Sequence, residues 1–80
     1  MSKTVTETVI ELIAEELDFD VSEVTPNADL YVDLGADSLD RTELAITLEE
    51  HFEIEVLDEE IDHLKTVGDV IKLVERKTKK

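Results

Sequence analysis

One alcohol stands out in this chain, the hydroxyl of Ser38 in the run Leu34-Gly35-Ala36-Asp37-Ser38-Leu39-Asp40. A glycine able to take a turn conformation is followed by Asp37 and then by apolar residues at helical spacing, so the run predicts a helix mouth with Ser38 in its first turn. The first N–H groups of a helix lack internal partners, and the helix dipole places partial positive charge at that end. An anion attached to Ser38, such as a phosphoester, is therefore favoured there. With Asp37 as N-cap, Asp40 falls at the third helical position, an aspartate version of the reciprocal capping box that leaves the Ser38 side chain uncommitted. Taken alone, an Asp-Ser pair is accounted for by an ordinary helix start.

No other constellation supplies a nucleophile with its base. A Gly-x-Ser-x-Gly elbow would need glycines where Ala36 and Asp40 stand, and His51 and His63 read as exposed helix residues rather than triad members or metal ligands. Asp18, Asp20, Ser22 and Asp29 begin like a calcium loop, but Glu23 occupies the position that demands glycine and Asp29 the position of the bidentate glutamate. Without cysteine there is neither a disulfide nor a thiolate metal site, so any thiol chemistry must be imported. Glycine-rich phosphate loops, zinc spacings and basic nucleic-acid stripes are missing too. The expectation is therefore no catalytic residue, no metal site and no enzyme.

The elements that position Ser38 follow from apolar spacing. From about Lys3 to Leu17, Val5, Val9, Leu12, Ile13 and Leu17 recur at helical intervals, with Glu7, Glu11, Glu15 and Asp18 facing away. A long connection runs from Asp18 to Ala36, with a short helical turn pinned by Val21 and Val24 and a turn at Pro26-Asn27. Leu30, Tyr31, Val32 and Leu34 are too apolar for a free linker, so this loop is expected to lie across the core, with Tyr31 a packed aromatic. The second helix runs from about Ser38 to His51. Leu44, Ala45, Leu48 and Phe52 fall on one side, and Leu39, Thr42 and Ile46 fall on the other among Glu43 and Glu50. That outer stripe is open to two readings, ordinary scattered exposure or a docking face for a groove ringed by lysine and arginine. Glu53-Ile54-Glu55-Val56-Leu57 alternates like a strand but has no partner pattern, so it reads as an extended loop. A short third helix is expected over Asp58 to Leu64. A final helix starts from Thr66 as N-cap with Asp69 as its acidic partner, and Lys77 to Lys80 are expected to fray.

Eighty residues bury only about 60–65% of the unfolded surface, which leaves little room for an enclosed catalytic cleft. Eight basic against 22 acidic residues give a net charge of −14, which argues against nucleic acid and anionic membranes and for basic protein partners. Eleven of the acids lie between Asp37 and Asp62, where Arg41 is the only arginine or lysine, so the negative field is concentrated around Ser38. No stretch approaches the ~20 apolar residues of a membrane span and the N-terminus lacks the apolar core of a signal peptide, so the expectation is a cytoplasmic monomer without membrane insertion.

The Leu34–Asp40 run, continued by Glu43-Leu44 and Leu48-Glu49-Glu50, strongly resembles the acyl carrier proteins, and the resemblance extends to about Val74. It implies an all-α fold, a small antiparallel four-helix bundle of three main helices plus one short helix with a long first loop, as a single domain over residues 1–80. It also implies that Ser38 carries 4'-phosphopantetheine, delivered from coenzyme A by a phosphopantetheinyl transferase that reads Asp37 and Leu39. Glu43, Glu49 and Glu50, with Asp40 alongside, match the family's acidic recognition positions, and Thr42 and Ile46 match its apolar recognition stripe. Leu48, Val56, Ile61, Leu64 and Val70 fall where relatives line the space that sequesters an acyl chain. On this resemblance the outer stripe is a docking face, the partners are acyl-transfer enzymes with basic patches, and the setting is fatty-acid synthesis. A carrier of specialised cargo (polyketide, aminoacyl or unusual lipid acyl) and an unmodified acidic adaptor are the rivals.

The chain departs from that pattern at five positions. Arg41 stands where a small polar residue is usual, and its charge is expected near the phosphate. Leu57 replaces a usual proline, which should loosen the entry to the third helix. Ile61 and Val70 are bulkier than the common alanines, and Val32 is apolar where an acid is common, so the acyl space should be narrower or differently shaped.

Overall fold

Thr4 starts the first helix: its hydroxyl accepts from the Glu7 N–H at 3.1 Å while the Glu7 carboxylate accepts from the Thr4 N–H at 3.1 Å. The computed structural model describes residues 4–78, so the part of this first helix expected at Lys3 lies outside them. The elements are α1 (Val5–Leu17), a 3-10 turn (Val21–Glu23), α2 (Ser38–Phe52), α3 (Asp58–Asp62) and α4 (Val67–Thr78). Among the described residues no strand forms; Glu53 to Leu57 is an extended connection, as its unpaired alternation implies. Both α1 and α2 end on a non-glycine residue in the left-handed region, Asp18 and Glu53, each closing the last turn with a backbone hydrogen bond.

The apolar stripes meet in one core. Val9, Ile13 and Ala14 of α1, Leu44, Ala45 and Leu48 of α2, and Val67, Val70, Ile71, Leu73 and Val74 of α4 are buried. Helix α1 packs against both α2 and α4, and the Thr47 hydroxyl donates to Glu16 at 3.1 Å across the first of these contacts.

The loop before α2 covers this core through Val24, Ala28, Leu30, Leu34 and Ala36. It is pinned to the start of α4 by backbone bonds: Leu30 N–H donates to the Lys65 carbonyl (2.8 Å), Val67 N–H to Ala28 (3.0 Å) and Gly68 N–H to Pro26 (2.9 Å). The loop lies across the core as expected, with Tyr31 packed under Arg41, although Tyr31 and Val32 remain 37% and 83% exposed. The Asp29 carboxylate accepts from both of their N–H groups, at 2.8 and 2.9 Å, and the resulting turn rotates the two side chains outward.

The C-terminal end also differs from expectation. Helix α4 continues through Thr78, and the Lys77 ammonium lies 2.8 Å from Glu60, so residues 77 and 78 are held, while Lys79 and Lys80 lie outside the described residues. Glu60 is a hub. One oxygen accepts from the Leu57 N–H at 2.9 Å and the other faces Arg76 at 3.1 Å. The Lys77 hydrogen bond, followed by that from Leu57, holds its carboxyl below the ordinary range. At the entry to α3, Leu57, unlike the proline it replaces, supplies an N–H that donates to the Glu60 carboxylate.

The candidate carrier site at the mouth of helix 2

Gly35, at φ +67°, turns the loop into the helix mouth, and nothing lies within 4 Å of where a Cβ would stand. Its N–H donates to Tyr31 and that of Ala36 to Leu30, so the residues just before the helix are held from behind. Asp37 is the N-cap: it accepts from the Asp40 N–H at 2.8 Å, and Asp40 accepts in return from the Asp37 N–H at 3.1 Å. The Arg41 N–H goes to the Asp37 carbonyl at 3.1 Å. Two of the helix-start donors are thereby satisfied without Ser38. Its side chain is exposed, and among the described residues none hydrogen-bonds its hydroxyl.

The predicted recognition residues lie along α2, and three of them, Asp40, Thr42 and Glu49, also make hydrogen bonds within the chain. Leu39 is 65% and Ile46 49% exposed, with Thr42, Glu43 and Glu50 exposed around them. The Thr42 hydroxyl donates to the Ser38 carbonyl at 3.0 Å, so what Thr42 offers outward is its methyl. Glu49 is half-buried and accepts from the Val56 N–H at 2.9 Å, which ties the loop after α2 back onto the helix. Asp40, half-buried, is engaged in the cap.

Leu48, Val56, Leu64 and Val70 are buried in the core and Ile61 packs against it, so the five residues expected to line an acyl space belong to one apolar cluster. A cleft of about 300 Å³ lies beside α3 and α4, lined by residues including Glu60, His63, Leu64, Lys72, Leu73 and Arg76. Of the five, Leu64 alone reaches it.

Arg41 was expected beside the helix mouth. Its guanidinium instead donates to the Ile61 carbonyl at 3.0 Å and lies 4.7 Å above the Tyr31 ring, while its buried Nε has no hydrogen-bond partner. Neither the Arg41–Ile61 bond nor the Arg76–Glu60 ion pair was evident from the sequence, because they join residues 20 and 16 apart with no local spacing rule. The bulk of Arg41 at a usually small position was the one available signal.

The chain matches the phosphopantetheine attachment site family over residues 7–74. It is 52% identical over 64 residues to an acyl carrier protein of Helicobacter pylori, covering 80% of this chain and 82% of that one. An acyl carrier protein of Caulobacter vibrioides is 46% identical over 72 residues, covering 90% and 92%. Among solved structures, a Mycobacterium tuberculosis protein described as an acyl carrier protein superposes with a TM-score of 0.81 at 35% identity, over 86% of this chain and 92% of that one. The apo doublet acyl carrier protein from prodigiosin biosynthesis superposes with a TM-score of 0.77 at 26% identity, over 90% of this chain but only 35% of that longer one. By these matches the chain belongs to the acyl carrier proteins, carriers rather than enzymes, which bear a covalently attached 4'-phosphopantetheine.

Proposed function

We propose that Ser38 is the attachment point of the arm and that the chain carries acyl intermediates as thioesters on it, in the cytoplasm, for fatty-acid synthesis. The observation that carries this reading is the free hydroxyl of Ser38 at a helix mouth whose cap is supplied by its neighbours. An exposed primary alcohol, with the Ser38 and Leu39 N–H groups at the positive end of α2, fits a phosphodiester. The prosthetic group supplies the thiol that this chain lacks. In the loading reaction, catalysed by a separate transferase, the Ser38 oxygen forms the new bond to phosphorus. The nucleotide portion of coenzyme A leaves with the electrons of the broken P–O bond, and the hydroxyl proton passes to a base of the transferase.

Asp37 and Leu39 flank the site for the transferase to read. Leu39, Thr42 and Ile46 form the apolar strip, and Asp40, Glu43, Glu49 and Glu50 the acidic surround, for enzymes with basic docking patches. Steering by opposite charge speeds encounter, and contacts screened by salt permit release. Leu48, Val56, Ile61, Leu64 and Val70 shelter the acyl chain. A specialised cargo is the second reading, favoured by the Arg41 contacts that tie α3 to α2 over part of this cluster. Cargo profiling by mass spectrometry in cells separates the two.

The deciding experiment is intact mass after incubation with coenzyme A, magnesium and a broad-specificity transferase. One phosphopantetheine increment is expected on the native chain and none on Ser38→Ala. An unmodified native chain, or a modified Ser38→Ala, refutes the assignment.

A further inference from the structure

Arg41 links three segments: it stands on α2, its guanidinium donates to the Ile61 carbonyl in the last turn of α3, and it stacks on Tyr31 of the long loop. The same carbonyl accepts from the Leu64 N–H at 3.0 Å, so the Arg41 guanidinium and the turn that closes α3 meet on one oxygen. A cation at the carbonyl end of a helix is favourably placed. A helix of five residues has no stability of its own and takes its position from what holds it. Ile61, whose carbonyl Arg41 holds, packs its side chain against the core cluster that contains Leu48, Val56 and Leu64.

We infer that Arg41 is a specificity-determining latch across the seam between α2 and α3, which sets the minimum length of acyl chain that can enter the core. This rests on the proposed use of Ser38 and of the Leu48 cluster. A chain entering the seam must part Arg41 from Ile61 and Tyr31, and each methylene it buries repays a constant increment. Short acyl groups fall below that threshold and stay outside with the arm; longer ones exceed it. The buried, unpartnered Nε–H makes the closed state costly, so the latch is a threshold and not a wall. Lysine replaces it only in part, since an ammonium lacks the planar fork that reaches a carbonyl while stacking on a ring.

The test compares the native chain with Arg41→Met and Arg41→Lys. On the unloaded proteins, amide exchange at Leu64 is expected to quicken about tenfold in Arg41→Met, with Val70 in α4 unchanged as the internal reference. On proteins loaded with a series of straight acyl arms, each verified by intact mass, melting temperature is followed against chain length. The onset of stabilisation is expected about two to three methylenes earlier in Arg41→Met than in the native chain, with Arg41→Lys between them. Unchanged exchange at Leu64 overturns the latch. So does an unchanged onset on verified loaded protein, even if exchange rises. A missing mass increment would instead refute the Ser38 reading, and with it the role in chain length.

Discussion

Asp69→Ala tests how the loop that presents Ser38 is anchored. The Asp69 carboxylate accepts from the N–H groups of Thr66 and Lys65, both at 3.1 Å, while the Asp69 N–H donates to the Thr66 hydroxyl at 3.1 Å. Loss of an N-cap partner of this kind costs about 1 kcal/mol, and removing an acid from the first turn of a helix adds a few tenths. With about 4–8 °C per kcal/mol for a domain of this size, a variant weakened by about 1–1.5 kcal/mol should melt about 4–12 °C lower at neutral pH. Asp69→Asn, which keeps an acceptor oxygen, should lose less. The pH dependence is a second readout. Burial is the largest single influence on the Asp69 carboxyl and acts upward, but the hydrogen bonds from Thr66 and Lys65 and the Lys72 charge together outweigh it, so its pKa lies below the ordinary value. A carboxyl with a depressed folded pKa stabilises fully above its unfolded value of about 3.9, and that contribution disappears as pH falls through the lower folded value. The difference between native and Asp69→Ala melting temperatures should therefore be full at neutral pH and narrow in strong acid. Because the start of α4 receives the loop through Leu30 and Val67, amide exchange at those two residues should quicken in the variant. Equal melting temperatures at neutral pH, or a gap of the same size near pH 2, would refute the reasoning.

Gly35→Ala isolates a backbone cost, because φ is +67° and the added Cβ meets nothing within 4 Å; a loss of about 1–2 kcal/mol is expected by thermal unfolding, less for Gly35→Asn, and a variant as stable as the native chain would contradict it. At a net charge of −14 the folded chain repels itself, so added salt or divalent cations should raise the melting temperature, and a flat response would rule that out.

Most of the helix mouth was legible in the sequence because capping is local chemistry. Asp37 with Asp40 and Thr66 with Asp69 are pairs three residues apart whose geometry follows once a helix start is recognised. The two faces of α2 were legible for the same reason, since Leu44 and Leu48 against Leu39 and Ile46 follow from helical period alone. Side chains whose partners arrive through packing were not legible. Glu60 reads as one more acid at a helix start, and its partners are 16 and 17 residues away in sequence. Glu49 reads as a surface acid, yet bends to the Val56 N–H. Which members of the Leu30–Leu34 run stay exposed was not legible either, because the Asp29 turn governs the direction of Tyr31 and Val32.

The same distinction divides the molecule mechanically. Helices α1, α2 and α4 and the long loop meet through fully buried residues such as Ile13, Leu30, Leu48 and Val74, an interface that salt does not screen. Helix α3 contributes no fully buried residue; Ile61 packs against the core from the outside, and polar ties add to it, from Arg41 at the end of the helix and from Arg76 and Lys77 on Glu60. Ion pairs at the surface are weak and screened, so α3 is the segment most easily displaced while the rest stays folded. Ser38 is anchored through Gly35, Leu30 and the start of α4, all on the apolar side of that division. Displacing α3 would therefore leave Ser38, the proposed attachment point, in place, as a carrier needs if one partner is to read that residue whatever cargo is held.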